Sequence, residues 1–123
     1  MRWSANMQPV TTVPGSETIQ EVRYAVRLGH AKSGVALVNV YRNLSSSAVS
    51  FALETASHTA LRLDTTSSPF WFVVGSGSMA ASTTGMVRIP IADLGEVVRW
   101  HATNQNGSVD FSILLRLYDR DPE

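Results

Sequence analysis

Val97-Val98-Arg99-Trp100-His101-Ala102-Thr103 and Val109-Asp110-Phe111-Ser112-Ile113-Leu114-Leu115-Arg116-Leu117-Tyr118 flank an Asn106-Gly107 turn, and these two segments decide the fold class. In the second, Val109, Phe111, Ile113, Leu115 and Leu117 share one parity, while Asp110, Ser112, Arg116 and Tyr118 share the other. Successive side chains of a strand point to opposite faces, so this period of two predicts a half-buried strand with the five apolar residues inward. In the first segment Trp100 has the parity of Val98, with Arg99 and His101 on the opposite face.

The same period recurs toward the amino terminus. Val87, Ile89 and Ile91 alternate with outward Arg88, and Val49, Phe51 and Leu53 alternate with Ser50, Ala52 and Glu54. Val35 to Arg42 is a β-branched run with both faces apolar, as expected of a central strand. Val22, Tyr24, Val26 and Leu28 share one face of a strand predicted over Thr18 to Leu28, and Leu61 and Leu63 around Arg62 predict a short one. Pro69 introduces Phe70-Trp71-Phe72-Val73-Val74, whose aromatic and β-branched content favours a strand. If Phe70 and Phe72 face the core, Trp71 faces the other surface. Residues 75–85 are small and polar and predict an exposed loop, and the serine triplet within 44–48 predicts a connection. Ile91, Leu94 and Val98 match helical spacing, but Gly95 and the β-branched Val97-Val98 oppose a helix there. The expectation is an all-β chain with one domain over residues 18–119, an antiparallel β-sandwich or jelly roll of seven or eight strands, and a short tail at 120–123.

Residues 1–17 contain Pro9, Pro14 and Gly15, a composition that resists both helix and central strand and predicts an extended N-terminal arm. Trp3, Met7, Val10 and Val13 would each gain roughly 1.5–3 kcal/mol on full burial. The arm is therefore expected to lie on its own sheet or on a neighbouring subunit, which makes these four residues candidate assembly contacts.

With 123 residues and 44% hydrophobic content the chain is long enough for one core and too short for two ordinary domains. It has no cysteine, which excludes disulfides, thiolate nucleophiles, thiolate zinc sites and iron–sulfur clusters. Ten basic and ten acidic side chains cancel, removing the broad positive field expected of a protein that contacts nucleic acid or an anionic membrane directly. All the basic residues but Lys32 are Arg, which suits interfacial ion pairs and also follows from GC-rich coding. No apolar stretch approaches the roughly 20 residues of a membrane helix, and Met1-Arg2-Trp3-Ser4-Ala5-Asn6 lacks the apolar run of a signal peptide. Asn43-Leu44-Ser45 and Asn106-Gly107-Ser108 fit a glycosylation sequon, as chance allows in a chain so rich in Ser and Thr.

No constellation for chemistry stands out. His30, His58 and His101 fall in different predicted elements without metal-pair spacing, and only strand pairing could bring them together. Glu54, Asp64, Asp93, Glu96 and Asp110 show no local pair of the kind a glycosidase holds about 5 to 10 Å apart. There is no Gly-x-Ser-x-Gly elbow, and Gly75-Ser76-Gly77-Ser78 lacks the Lys and helix of a phosphate cradle. The sequence thus predicts no catalytic, cofactor or metal residues and a non-enzymatic protein. Trp71 and Trp100 suit cores or subunit contacts; exposed on a sheet face, either could instead stack on a sugar ring.

Arg88-Ile89-Pro90-Ile91, Leu94-Gly95, Val98-Arg99-Trp100, Gly107 to Ser112 and Leu115 resemble the carboxy-terminal half of small β-sandwich proteins encoded among bacteriophage structural genes. The likeness covers about residues 86–118 and is shared with discoidin-like and carbohydrate-binding sandwiches. The chain departs from it in Glu96, where a basic residue is usual, and in its N-terminal arm. The resemblance implies a virion structural protein, capsid or tail-associated, forming a homo-oligomer or docking on other structural proteins in a virion or cytoplasmic assembly. The alternative is a carbohydrate-binding module with a glycan on Trp71 or Trp100.

Overall fold

A computed structural model describes residues 2–13, 16–20, 24–57 and 70–119. Where apolar residues alternate, strands form, because each sheet has one face to bury. In chain order they are β1 (Arg2–Val13), β2 (Ser16–Ile19), β3 (Val26–Arg27), β4 (Ser33–Asn43), β5 (Val49–Ala56), β6 (Phe72–Met79), β7 (Gly85–Ala92), β8 (Val97–Gln105) and β9 (Val109–Tyr118). One sheet has the order β1-β9-β4-β7; the other has the order β2-β8-β5-β6, with β3 also pairing β8. Every pairing is antiparallel. Leaving β3 aside, the longer strands pair first with last, second with seventh, third with sixth and fourth with fifth. This nesting is one long hairpin rolled into two sheets, the jelly roll. No helix among the described residues is long and apolar enough to cross a membrane.

The inner faces meet in one core. Val109, Phe111, Ile113, Leu115 and Leu117 of β9 are all buried, opposite Val49, Phe51 and Leu53 of β5. Phe111 meets Phe51 and Trp100 edge-on, with ring centroids 5.2 and 5.1 Å apart. The Asn106-Gly107 turn does not join paired strands: it carries the chain from β8 in one sheet to β9 in the other. Gly107 adopts φ +131, and a Cβ there would strike the Leu44 carbonyl, so glycine is required on both counts.

At that end of the sandwich three crossing loops are tied through the serine triplet. Ser45, fully buried, accepts at Oγ from the Asn106 amide (2.9 Å) and at its carbonyl from the Ser82 amide (3.1 Å). Asn43 Nδ2 donates to the Ala80 and Thr83 carbonyls, and Asn43 Oδ1 accepts from the Ser45 amide. The segment predicted as a simple connection is a hydrogen-bonded hub, and the Asn43 amide of one sequon is already committed.

Several elements differ from expectation. Residues 1–17 provide β1, which pairs with β9 almost from end to end, and the first two residues of β2, which pairs with β8. Pro9 is tolerated because β1 is an edge strand whose register shifts on either side of Gln8. The strand predicted over 18–28 splits into β2 and β3, with Tyr24 exposed between them and Val22 outside the described residues. The strand predicted at Leu61 and Leu63 also lies outside them. Much of the predicted 75–85 loop is β6, whose glycines serve sheet packing. A Cβ on Gly77 would lie 2.8 Å from Val87 Cγ1, and one on Gly75 would lie 2.8 Å from Ile91 Cγ2. β6 and β7 border different sheets, and these glycines let the two borders close on each other.

Three stability outcomes follow, each read from urea unfolding. Phe111→Ala should cost about 3–5 kcal/mol, since the ring is fully buried. Gly77→Ala should cost about 1–3 kcal/mol through overpacking. Deleting residues 1–16 removes an edge strand and the buried Met7 and Val13, so it should weaken or abolish the cooperative transition; an unchanged midpoint would contradict the place given to β1.

Candidate functional site

Where β6 and β7 close one side of the sandwich, the opposite side, between β1 and β2–β3, holds a groove of about 670 Å³. Its floor includes Met7, Val13 and Trp100. The paired register shifts of β1 interrupt its pairing with β9 and bring Gln8 toward Trp100. Gln8 Oε1 accepts from Trp100 Nε1 at 3.1 Å, and Gln8 Nε2 donates to the Pro9 carbonyl at 3.0 Å. Across the groove Gln20 is buried and continues the ladder that β2 abandons. Its main-chain N–H donates to the Trp100 carbonyl while its side-chain Oε1 accepts from the Trp100 amide, both at 3.1 Å. Its Nε2 donates to the Tyr24 carbonyl (3.1 Å) and reaches the Met7 carbonyl (3.5 Å). Two carboxamides thus hold the groove walls on either side of one tryptophan.

A second cluster lies on the outer face of the β2-β8-β5-β6 sheet. The β5–β8 register sets Glu54 opposite Arg99, and the β2–β8 register sets Ile19 opposite His101, which brings Glu17 within reach. Arg99 Nε donates to Glu54 Oε1 at 2.8 Å; His101 Nδ1 lies 3.3 Å from Glu54 Oε2, and His101 Nε2 lies 2.7 Å from Glu17 Oε1. The chain Glu17–His101–Glu54–Arg99 ties β2, β8 and β5 together. Both imidazole nitrogens face carboxylates, so neither is placed to activate a hydroxyl as a general base would. No local spacing announces this cluster, because its members are neighbours only through strand register.

The residues singled out in the sequence are scattered. Met7 and Val13 are buried in the domain's own core, 4% and 2% exposed, whereas Val10 is 65% exposed. The side chain of Trp3 lies outside the described residues, although its backbone pairs with Leu117. The segment therefore lies on its own sheet, and of the four only Val10 is an exposed side chain among the described residues. Trp71 and Trp100 are 5% and 4% exposed, which leaves neither ring open as a stacking platform on a sheet face. Trp100 faces the core, while Trp71 packs with Ala56 and Val97 and lies under the Arg99 guanidinium, 4.2 Å from ring centroid to Cζ. Phe70 and Phe72, opposite in parity to Trp71, are exposed, so the condition that they face the core is not met. The ladder ends there: beyond the shift between Leu53 and Glu54, Thr55↔Phe72 is the last β5–β6 pair.

His58 and Asp64 lie outside the described residues, and His30 is exposed on a turn apart from His101. Among the described residues no group of three or more His, Cys, Asp or Glu is placed to hold a metal ion. Comparison of the chain with protein-family models, curated proteins and solved structures gave no match.

The Arg99–Glu54 pair is buried enough for its loss to be measured. Glu54→Ala should destabilise the fold by about 3–5 kcal/mol, since it leaves the guanidinium buried without this carboxylate. Pairing Arg99→Met with Glu54→Leu should recover most of that loss. A Glu54→Ala midpoint within error of the parent in urea unfolding would show that solvent replaces the carboxylate.

Proposed function

We propose that the chain is a non-enzymatic structural subunit of a virion-type assembly, capsid or tail-associated, working through contacts with further copies or with other structural proteins. The observation that carries this reading is the outer face of the β1-β9-β4-β7 sheet. The register sets Arg116, Val35 and Pro90 in one row, Leu114, Leu37 and Arg88 in the next, and Ser112, Asn39 and Met86 in a third. Val35 is nearly buried although it points away from the core, Leu37 and Leu114 are half-buried, and Met86 and Tyr41 are exposed. Arg42, Arg88 and Arg116 surround this apolar centre, and among the described residues none of the three is in an ion pair. An apolar centre with an arginine rim has the anatomy of an interface, where guanidinium groups find carboxylates on the partner.

The jelly roll adds support by analogy only, since it recurs in capsid subunits and in lectin domains alike. The charge balance fits contacts with protein better than direct contact with nucleic acid or membrane. In this reading the protein works by burial and shape complementarity and needs no cofactor.

Solution mass tests the reading directly. Light scattering over a range of concentrations should give a mass several times that of one chain, and Arg88→Glu combined with Arg116→Glu should return it to that of a monomer with the β-sheet circular dichroism signal intact. A parent protein that stays monomeric at every concentration would overturn the proposal.

A further inference from the structure

From the groove between β1 and β2–β3 we infer a binding site for a neutral saccharide, independent of whether the chain assembles. A groove of about 670 Å³ falls within the range of small-molecule sites, which run to roughly 300–1,000 Å³. The argument rests on what its lining accepts and what it rejects.

No described lining residue carries a formal charge. Among the described lining residues a phosphate, carboxylate or ammonium ligand would find no counter-charge to offset its desolvation, which disfavours ionic ligands. Nor is the lining that of a lipid site: Asn6, Thr11 and Thr18 stand in the walls beside Gln8 and Gln20, while the Thr12 hydroxyl is spent on Asp110 Oδ1 at 2.7 Å. What remains is a neutral ligand with many hydroxyls and an apolar ring face. Such a ligand needs donors and acceptors at fixed positions together with an aromatic wall. Gln8 is held from both ends, by the Trp100 indole and the Pro9 carbonyl, so a second amide hydrogen of Nε2 keeps a defined direction. Tyr24, 58% exposed at the rim, presents the aromatic surface that the buried Trp71 and Trp100 do not.

An added peptide strand is the competing occupant of a gap between sheet edges, and β1 is built against it. Strand addition needs a regular row of main-chain donors and acceptors. Pro9 lacks an N–H, and the two register shifts around Gln8 break the alternation along the part of β1 that walls the groove. Devices of this kind blunt edges against strand pairing.

The test begins with an array of neutral glycans and continues with titration of any hit into isotopically labelled full-length protein. Saturable amide shifts should cluster at residues 6–12, Gln20, Tyr24 and Trp100. Tyr24→Ala and Asn6→Ala replace exposed side chains, so the domain should stay folded while affinity falls, by about tenfold for the loss of the aromatic wall. Gln8→Glu keeps an acceptor for Trp100 Nε1 but puts a charge in the lining, and it should weaken binding as well. An array with no neutral hit overturns the inference. So do shifts that map to another surface, and so does an affinity unchanged in both Tyr24→Ala and Asn6→Ala. The same titration is read on the Arg88→Glu, Arg116→Glu variant, whose substitutions lie outside the groove, so none of these outcomes depends on the state of assembly.

Discussion

The contact of Phe111 with Phe51 and Trp100 is the constraint on which the remaining structure depends. Phe111 belongs to one sheet; Phe51 and Trp100 belong to the other, so their edge-on packing fixes the inner face of both layers at once. Once Phe111 points inward, alternation directs Asp110, Ser112, Leu114 and Arg116 outward, and with them the arginine-rimmed surface. Once Trp100 points inward, Arg99 and His101 must point outward, where Glu54 and Glu17 meet them. The same orientation turns the Trp100 indole N–H toward β1, where Gln8 receives it. Three surfaces of different chemistry therefore derive from the phase of two strands.

What the sequence revealed and what it hid divide along the range of the interaction. β9, β7 and β5 were legible because burial of one face writes a period of two into the strand itself. β4 was legible as a central strand because Val35 and Leu37 make its second face apolar as well. β6 was hidden because Gly75 and Gly77 look like loop residues; their reason is the side chains of β7 across the sandwich, which no local pattern contains. β1 was hidden because Pro9 argues against a strand unless it is known to lie on an edge. In the Phe70 to Val74 run the alternation holds but its condition does not: Trp71 lies opposite to Phe70 and Phe72, and it is Trp71 that is covered while both phenylalanines are exposed.

The polar sites were harder still to foresee. Gln8 and Gln20 carry no motif, and their roles arise from a strand that shifts register and another that stops short. His101 and Glu54 were visible as isolated titratable residues; what joined them was the β5–β8 register, a quantity the sequence does not print. Ser45 was seen only as part of a spacer, although its hydroxyl and carbonyl link loops that lie far apart along the chain.

Pairing the first strand with the last also sets the order in which this chain can fold during synthesis. β1 finds its partner only in β9, so an amino-terminal segment carrying Met7 and Val13 leaves the ribosome long before the strand that covers it exists. The inner pair β5·β6 and the pairs nested around it can form earlier, from the middle of the chain outward. Closing the four-stranded sheet is then the final event, with the largest loop to close and the highest contact order. Until it occurs, both the waiting segment and the border of β4 are open to pairing with other nascent chains. The proline and the paired register shifts of β1 thus act twice: they shape a groove in the finished domain, and they make the waiting segment a poor template for aggregation beforehand.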